Sequence, residues 1–215
     1  NLITTCSLMI IGSIAFFAME YHHSLNQHSG FGKVITAIFS ATTPRSAGLN
    51  TIDFSSLQLP TIILIILFMW IGASPASTGG GIKTSTFAIA TLNFISLAKG
   101  KSKIELFRRE VADISVRRAF ATMTLSFIAI GFGICLVSYY DPKLSILDTT
   151  FECVSAYCTV GLSLGITPYL SESSKIVMIL LMFTGRVTML SILIALFKKV
   201  RPMNYQYPTD EIMIN

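Results

Sequence analysis

Two short blocks carry residue types suited to stripping water from a cation: Ser46-Ala47-Gly48-Leu49-Asn50 and Thr159-Val160-Gly161-Leu162-Ser163. An ion leaving water must have its hydration shell replaced, and rings of backbone carbonyls do this without fixed charge. Glycine permits the backbone angles that turn successive carbonyls toward one axis. Thr159 adds a hydroxyl oxygen to such a ladder. Two turns cannot surround an ion symmetrically, whereas four can. Between the blocks, Gly72-Ala73-Ser74-Pro75-Ala76-Ser77-Thr78-Gly79-Gly80-Gly81-Ile82-Lys83-Thr84 interrupts an apolar run with small, hydroxylated and one basic residue. Arg186 lies within another apolar run. A charge at such depth is costly and faces a cavity or a partner, and a cation near an ion path raises the barrier to other cations.

The elements that position these residues follow from length. A spanning helix needs about 20 apolar residues. Residues 2–19, 119–140 and 175–197 qualify, the last apart from Gly185-Arg186. Residues 60–97 would make a rod of roughly 57 Å if unbroken, so proline and three adjacent glycines predict a break at mid-depth. Irregular backbone is tolerated there only where protein or a water-filled cavity shields it. Residues 31–43 and 145–158 are apolar but too short to span, which predicts re-entrant half-helices. A half-helix aims its partially negative C-terminal end at the turn that follows it. The order span, half-helix, glycine turn, span therefore occurs twice. Gly48 and Gly161, Leu49 and Leu162, Met69 and Met182, and Gly72 and Gly185 all stand 113 positions apart.

Composition agrees with a chain in lipid. It has 215 residues, 52% hydrophobic and 13% charged, with mean hydropathy +0.67. That is too little charge to wet a globule and too much apolar content for a disordered chain. A pI near 9.1 and net charge +5 would ordinarily suggest nucleic acid. However, Lys99, Lys101, Lys103, Arg108, Arg109, Arg117 and Arg118 precede the third span, and Lys198, Lys199 and Arg201 follow the last one. The positive-inside rule places these ten of the sixteen basic residues in the cytoplasm, with no nucleic acid needed. The apolar run is already under way at Leu2, without the basic region or cleavage site of a signal peptide. It reads as a helix whose preceding sequence is missing.

The blocks together resemble the Trk/Ktr/HKT superfamily of potassium transporters. The resemblance rests on Thr43-Pro44-Arg45-Ser46-Ala47-Gly48-Leu49-Asn50-Thr51-Ile52-Asp53, the long Gly72 to Thr84 block, Thr159-Val160-Gly161-Leu162-Ser163 and Gly185-Arg186. Thr159 to Ser163 is also similar to a potassium-channel filter, with Leu162 for the aromatic and Ser163 for the final glycine. The order matches the third and fourth of the family's four span–pore–span units, and the ending Tyr207-Pro208-Thr209-Asp210-Glu211 is similar to that of the bacterial Ktr membrane subunit. The resemblance implies an all-α membrane protein with two tandem span–pore-helix–filter–span repeats. These would be residues 1–98 and 119–200, joined by a basic cytoplasmic loop at 99–118 and followed by a cytoplasmic tail at 201–215. It implies potassium-binding carbonyls at Ser46, Ala47, Gly48, Leu49, Thr159, Val160, Gly161 and Leu162. It implies a gate loop containing Ala73, Ser74, Ser77, Thr78, Gly79, Gly80, Gly81 and Lys83, and a pore-facing Arg186. It further implies potassium as the ion, sodium as a coupling or activating ion, a cytosolic nucleotide-binding RCK-type regulatory subunit, a homodimer, and the bacterial plasma membrane.

Other readings stay open on the residues alone. The glycines also suit close helix packing in lipid. Gly79 to Thr84 resembles a phosphate loop, but Ile82 separates glycine from lysine. Arg186 could pair with Glu152 or a carbonyl. Arg45 could anchor its turn through Asp53, and Glu152 could brace the second turn or concentrate cations. His22, His23 and His28 read as an outer loop, and Cys153 and Cys158 as small packing residues. An embedded enzyme would need an acid–base constellation at depth, and none emerges. A secondary transporter of another small solute, with a broken-helix binding site, is the alternative function.

Overall fold

The spacing of apolar and glycine residues becomes a helical assembly in the computed structural model, which describes residues 2–27, 29–45, 47–75, 77, 79–100, 104–106, 109–187 and 194. In chain order the helices are α1 (Leu2–Glu20), α2 (Gly30–Thr42), α3 (Leu59–Trp70), α4 (Thr84–Ala98), α5 (Asp113–Tyr140), α6 (Ile146–Tyr157) and α7 (Glu172–Val187). The architecture is all-α apart from a two-residue hairpin, β1 (Glu105–Leu106) against β2 (Arg109–Glu110). Helix α7 is described only as far as Val187, so apart from Ile194 the rest of the span expected to reach 197 lies outside the described residues, as does the tail.

Helices α1 and α5 have the length and hydropathy to cross a bilayer, yet only 11% and 22% of their most apolar windows are buried. A core helix of a water-soluble domain would bury such a surface. Ile10, Ile14, Phe127 and Phe132 instead stand 58% or more exposed, as lipid-facing side chains do. The short helices α2 and α6 fall where length predicted half-helices. The long apolar run divides as expected: α3 ends at Trp70 and α4 begins at Thr84. Helix α5 starts at Asp113 rather than 119, so Arg117 and Arg118 lie on its first turns instead of in a loop. Asp113 suits that start, because a carboxylate in the first turn complements the positive helix end.

The 113-residue offset recurs in three dimensions. A 3₁₀ turn at Phe54–Ser56 is matched by one at Thr167–Tyr169, and α3 and α7 begin at Leu59 and Glu172, the same distance apart. The repeats are packed together: α3 lies on α6, and Phe54 meets Phe151 with ring centroids 6.5 Å apart. Trp70 buries its ring beside Phe127, and its indole N–H donates to Ser126 Oγ at 3.0 Å.

An acidic side chain closes the end of the first long helix of each repeat. Glu20, fully buried at the end of α1, accepts from Gln58 N at 3.1 Å, Thr61 Oγ1 at 2.7 Å and Ser24 N at 3.2 Å. Asp141, just past α5, accepts from Ser171 N and Ser171 Oγ, both at 3.0 Å. The Ser174 hydroxyl and then the Ser171 amide hold the Asp141 carboxyl below the usual range. Gln58 and Thr61 become Ser171 and Ser174 at the repeat offset. In each repeat a carboxylate thus caps orphan N–H groups where the second span begins. Glu20→Ala should lower stability by about 3 kcal/mol, because three donors lose their acceptor. A melting-temperature shift of less than a degree would contradict that role. The Asp141 contribution is present above the ordinary carboxylate pKa and is lost as pH falls through the depressed one.

Candidate functional site

The two glycine turns expected to hold a cation meet. Gly48 and Gly161 both adopt left-handed backbone, φ +64° and +88°. A Cβ on Gly48 would lie 2.5 Å from the Val160 carbonyl oxygen and 3.4 Å from Gly161 Cα. A Cβ on Gly161 would lie 3.8 Å from Gly48 Cα. The turns therefore abut backbone to backbone, and the approach leaves no room for a side chain on Gly48.

The second turn is built by α6. Its last residue is Tyr157, and the Thr159 and Val160 amides donate back to Ala156 O at 3.1 Å and Ser155 O at 2.9 Å. Thr159 has φ +53°, a conformation that β-branched residues rarely adopt. Ser155 Oγ donates to Leu162 O at 2.6 Å, so one lone pair of that carbonyl is held by the half-helix. Glu152 accepts from Ser163 Oγ and, at 3.2 Å, from Thr167 Oγ1. Bracing is thus what Glu152 does here. Its carboxylate is not paired with Arg186, which corrects that expectation.

Thr159, Val160, Gly161 and Leu162 line a cavity of about 760 Å³ together with Glu152, Lys175 and Arg186. The sequence-selected turn and the sequence-selected arginine share one space.

The break between α3 and α4 packs against the base of this turn. Ile71 and Ile82 form a parallel bridge, and Thr84 N donates to Ala73 O at 3.3 Å, closing the loop at its neck. Gly80 N–H donates to Thr159 Oγ1 at 2.7 Å. Lys83 Nζ donates to Gly79 O at 2.6 Å and Ser77 O at 3.1 Å. Among the described residues the loop is held by Lys83 and Thr159 rather than by Arg186. Ala73, Gly79 and Gly80 are buried, Ser74, Gly81 and Lys83 half-buried, and Ser77 exposed.

Several expected residues fall elsewhere. Ser46, Ala76, Thr78 and His28 lie outside the described residues, as do Lys101, Lys103, Arg108, Lys198, Lys199 and Arg201. Ala47 is exposed and Leu49 is 64% exposed, whereas Leu162, its repeat equivalent, is buried. Arg45 does not reach Asp53; its Nη1 donates to Thr5 O on α1 at 3.4 Å. Asp53 instead caps its own 3₁₀ turn by accepting from Ser55 N. His23 Nδ1 lies 3.6 Å from Glu20 Oε2. Sequence reasoning missed Ser155 and the Glu20 and Asp141 caps. The recurrence of an acidic residue near the end of each first span was the available signal.

Residues 2–207 match the TrkH family, described as cation transport protein. The chain belongs to the TrkH family. The Ktr system potassium uptake protein D of Bacillus subtilis is 38% identical to it over 212 residues, 99% of this chain and 47% of that protein. The Ktr system potassium uptake protein B of Vibrio alginolyticus is 32% identical, covering 99% of this chain and 47% of that one. The potassium/sodium uptake protein NtpJ of Enterococcus hirae is also 32% identical, over 99% and 49%. The chain spans about half the length of these relatives. The crystal structure of the potassium transporter TrkH from Vibrio parahaemolyticus superposes with TM-score 0.75 at 18% identity, over 90% of this chain and 43% of that one. That likeness establishes the TrkH-type fold. As a TrkH-family chain this is a membrane protein of a transport family.

Proposed function

We propose that the chain supplies half of a pore that carries potassium across a bacterial plasma membrane. The observation that carries this reading is the meeting of the Gly48 and Gly161 turns beside the cavity lined by Thr159 to Leu162 and Arg186. The backbone around Ser46 to Leu49 and Thr159 to Leu162 provides half of the carbonyl ladder. Two further units, from the rest of the full-length protein, complete the ring. Residues 73–83 form the gate, and Arg186 sets an electrostatic barrier in the conduction path. The names of the Ktr and NtpJ relatives support potassium as the ion, with sodium as a coupling or activating ion. A cytosolic RCK-type nucleotide-binding subunit contacts the basic segments at 99–118 and Lys198-Lys199, and the complete subunit is a homodimer.

The test is growth of a potassium-uptake-deficient bacterium at low potassium, rescued by the full-length protein. Absence of rescue with normal membrane expression overturns the reading. Deleting residues 76–80 should raise potassium flux several-fold, because the loop obstructs the path. Reduced flux at normal expression would contradict a gate. Arg186→Ala should change conductance more than it changes folding yield, as expected for a charge that lines a cavity.

A further inference from the structure

The loop and the turn share one peptide group. Gly79 O accepts from Lys83 Nζ, and the N–H of that same peptide, on Gly80, donates to Thr159 Oγ1. A charged donor on the carbonyl polarises the peptide and makes its N–H a stronger donor. The approach tolerates no side chain at position 80, where a Cβ would stand 2.9 Å from both Thr159 Oγ1 and Cγ2. Thr159 is itself held in left-handed backbone, and strain of this kind persists only where surrounding structure enforces it.

Resting on the pore reading above, we propose that the Gly79–Gly80 peptide is a latch that competes with the permeating cation for the Thr159 hydroxyl oxygen. With the loop docked, the positive end of the peptide dipole faces that oxygen, and one of its two lone pairs is taken. A cation at the inner end of the ladder needs the same electron density and is repelled by the same N–H. Loop docking and cation occupancy therefore oppose each other, and linkage makes the effect reciprocal. A cation that enters the inner position favours release of the loop, so the transported ion acts on its own gate. Lys83 is a positioning residue in this scheme: its charge reaches Thr159 through one peptide.

The experiment uses the full-length protein in proteoliposomes, with Ser77→Cys introduced after Cys6→Ser and Cys135→Ser. Ser77 is exposed on the loop. Labelling by a charged thiol reagent is timed in potassium chloride and in N-methylglucamine chloride at equal ionic strength. Potassium should accelerate labelling by about fivefold. Thr159→Val should label fast in both salts and show less than a twofold potassium effect, and Thr159→Ser should restore the dependence. Lys83→Met, which leaves Thr159 intact, should raise labelling in N-methylglucamine. Labelling that ignores potassium, or a Thr159→Val variant with the full dependence, overturns the latch. Potassium flux measured on the same vesicles separates the two readings. Flux with potassium-independent labelling defeats the latch alone, and no flux defeats the pore reading.

Discussion

With alanine in place of Gly185, the full-length protein should lose potassium uptake and thermal stability together. Gly185 sits in α7 where the carbonyl of Tyr157, the last residue of α6, presses on the helix surface. A Cβ there would fall well inside van der Waals contact with that carbonyl. Both partners are backbone, so neither can swing away as a side chain would. The end of α6 must move, and it carries Cys158 and Thr159 with it. Overpacking of this kind costs about 3 kcal/mol. Gly131, in α5, is the control. It has no neighbouring atom within 4 Å of a Cβ, so Gly131→Ala should be neutral or slightly stabilising by helix propensity. Rubidium uptake and a heated size-exclusion assay measure both effects. If the two alanine variants behave alike, the close approach at Gly185 does not matter.

The second large effect is on selectivity. Gly48→Ala should reduce potassium-over-sodium discrimination at least about tenfold, more than Gly161→Ala does. Each variant puts a side chain in left-handed backbone, at about 1–2 kcal/mol. Only the first also drives a methyl into the Val160 carbonyl, 2.5 Å from the Cβ position. That carbonyl belongs to the opposite turn, so a change in one repeat displaces oxygens supplied by the other. Competition of sodium against rubidium uptake reads the ratio directly. Equal ratios for the two variants would remove the contact between turns from the explanation of selectivity.

Much of this arrangement is legible from residue type and spacing. The extent of α1 and the C-terminal end of α5 follow from uninterrupted apolar runs, and α2 and α6 from runs too short to span. The break between Trp70 and Thr84 follows from proline and glycine. The offset of 113 correctly pairs Gly48 with Gly161. What stayed hidden depends on backbone partners distant in sequence. Glu20 finds Gln58 N and Thr61, and Asp141 finds Ser171. A backbone amide accepts any residue type, so the acceptor leaves no matching signature in its partner. The Arg45–Asp53 and Arg186–Glu152 pairs failed for the complementary reason. Opposite charge suggested them, but Asp53 and Glu152 were already engaged by local hydroxyl and amide donors. The Gly80–Thr159 bond spans 79 positions and was beyond any local rule.

The two carboxylate corners set the mechanics of the whole unit. Glu20 fastens the C-terminal end of α1 to the start of α3, and Asp141 fastens that of α5 to the start of α7. Gly72 and Gly185 show how one duplicated frame divides that labour. At the same station, one copy has become a jointed lever of loop and half-helix. The other remains an unbroken strut through Gly185 that carries the pore helix on its side. On the gate reading proposed above, the jointed arm is the one that moves, and the unbroken arm supplies the bearing surface it moves against.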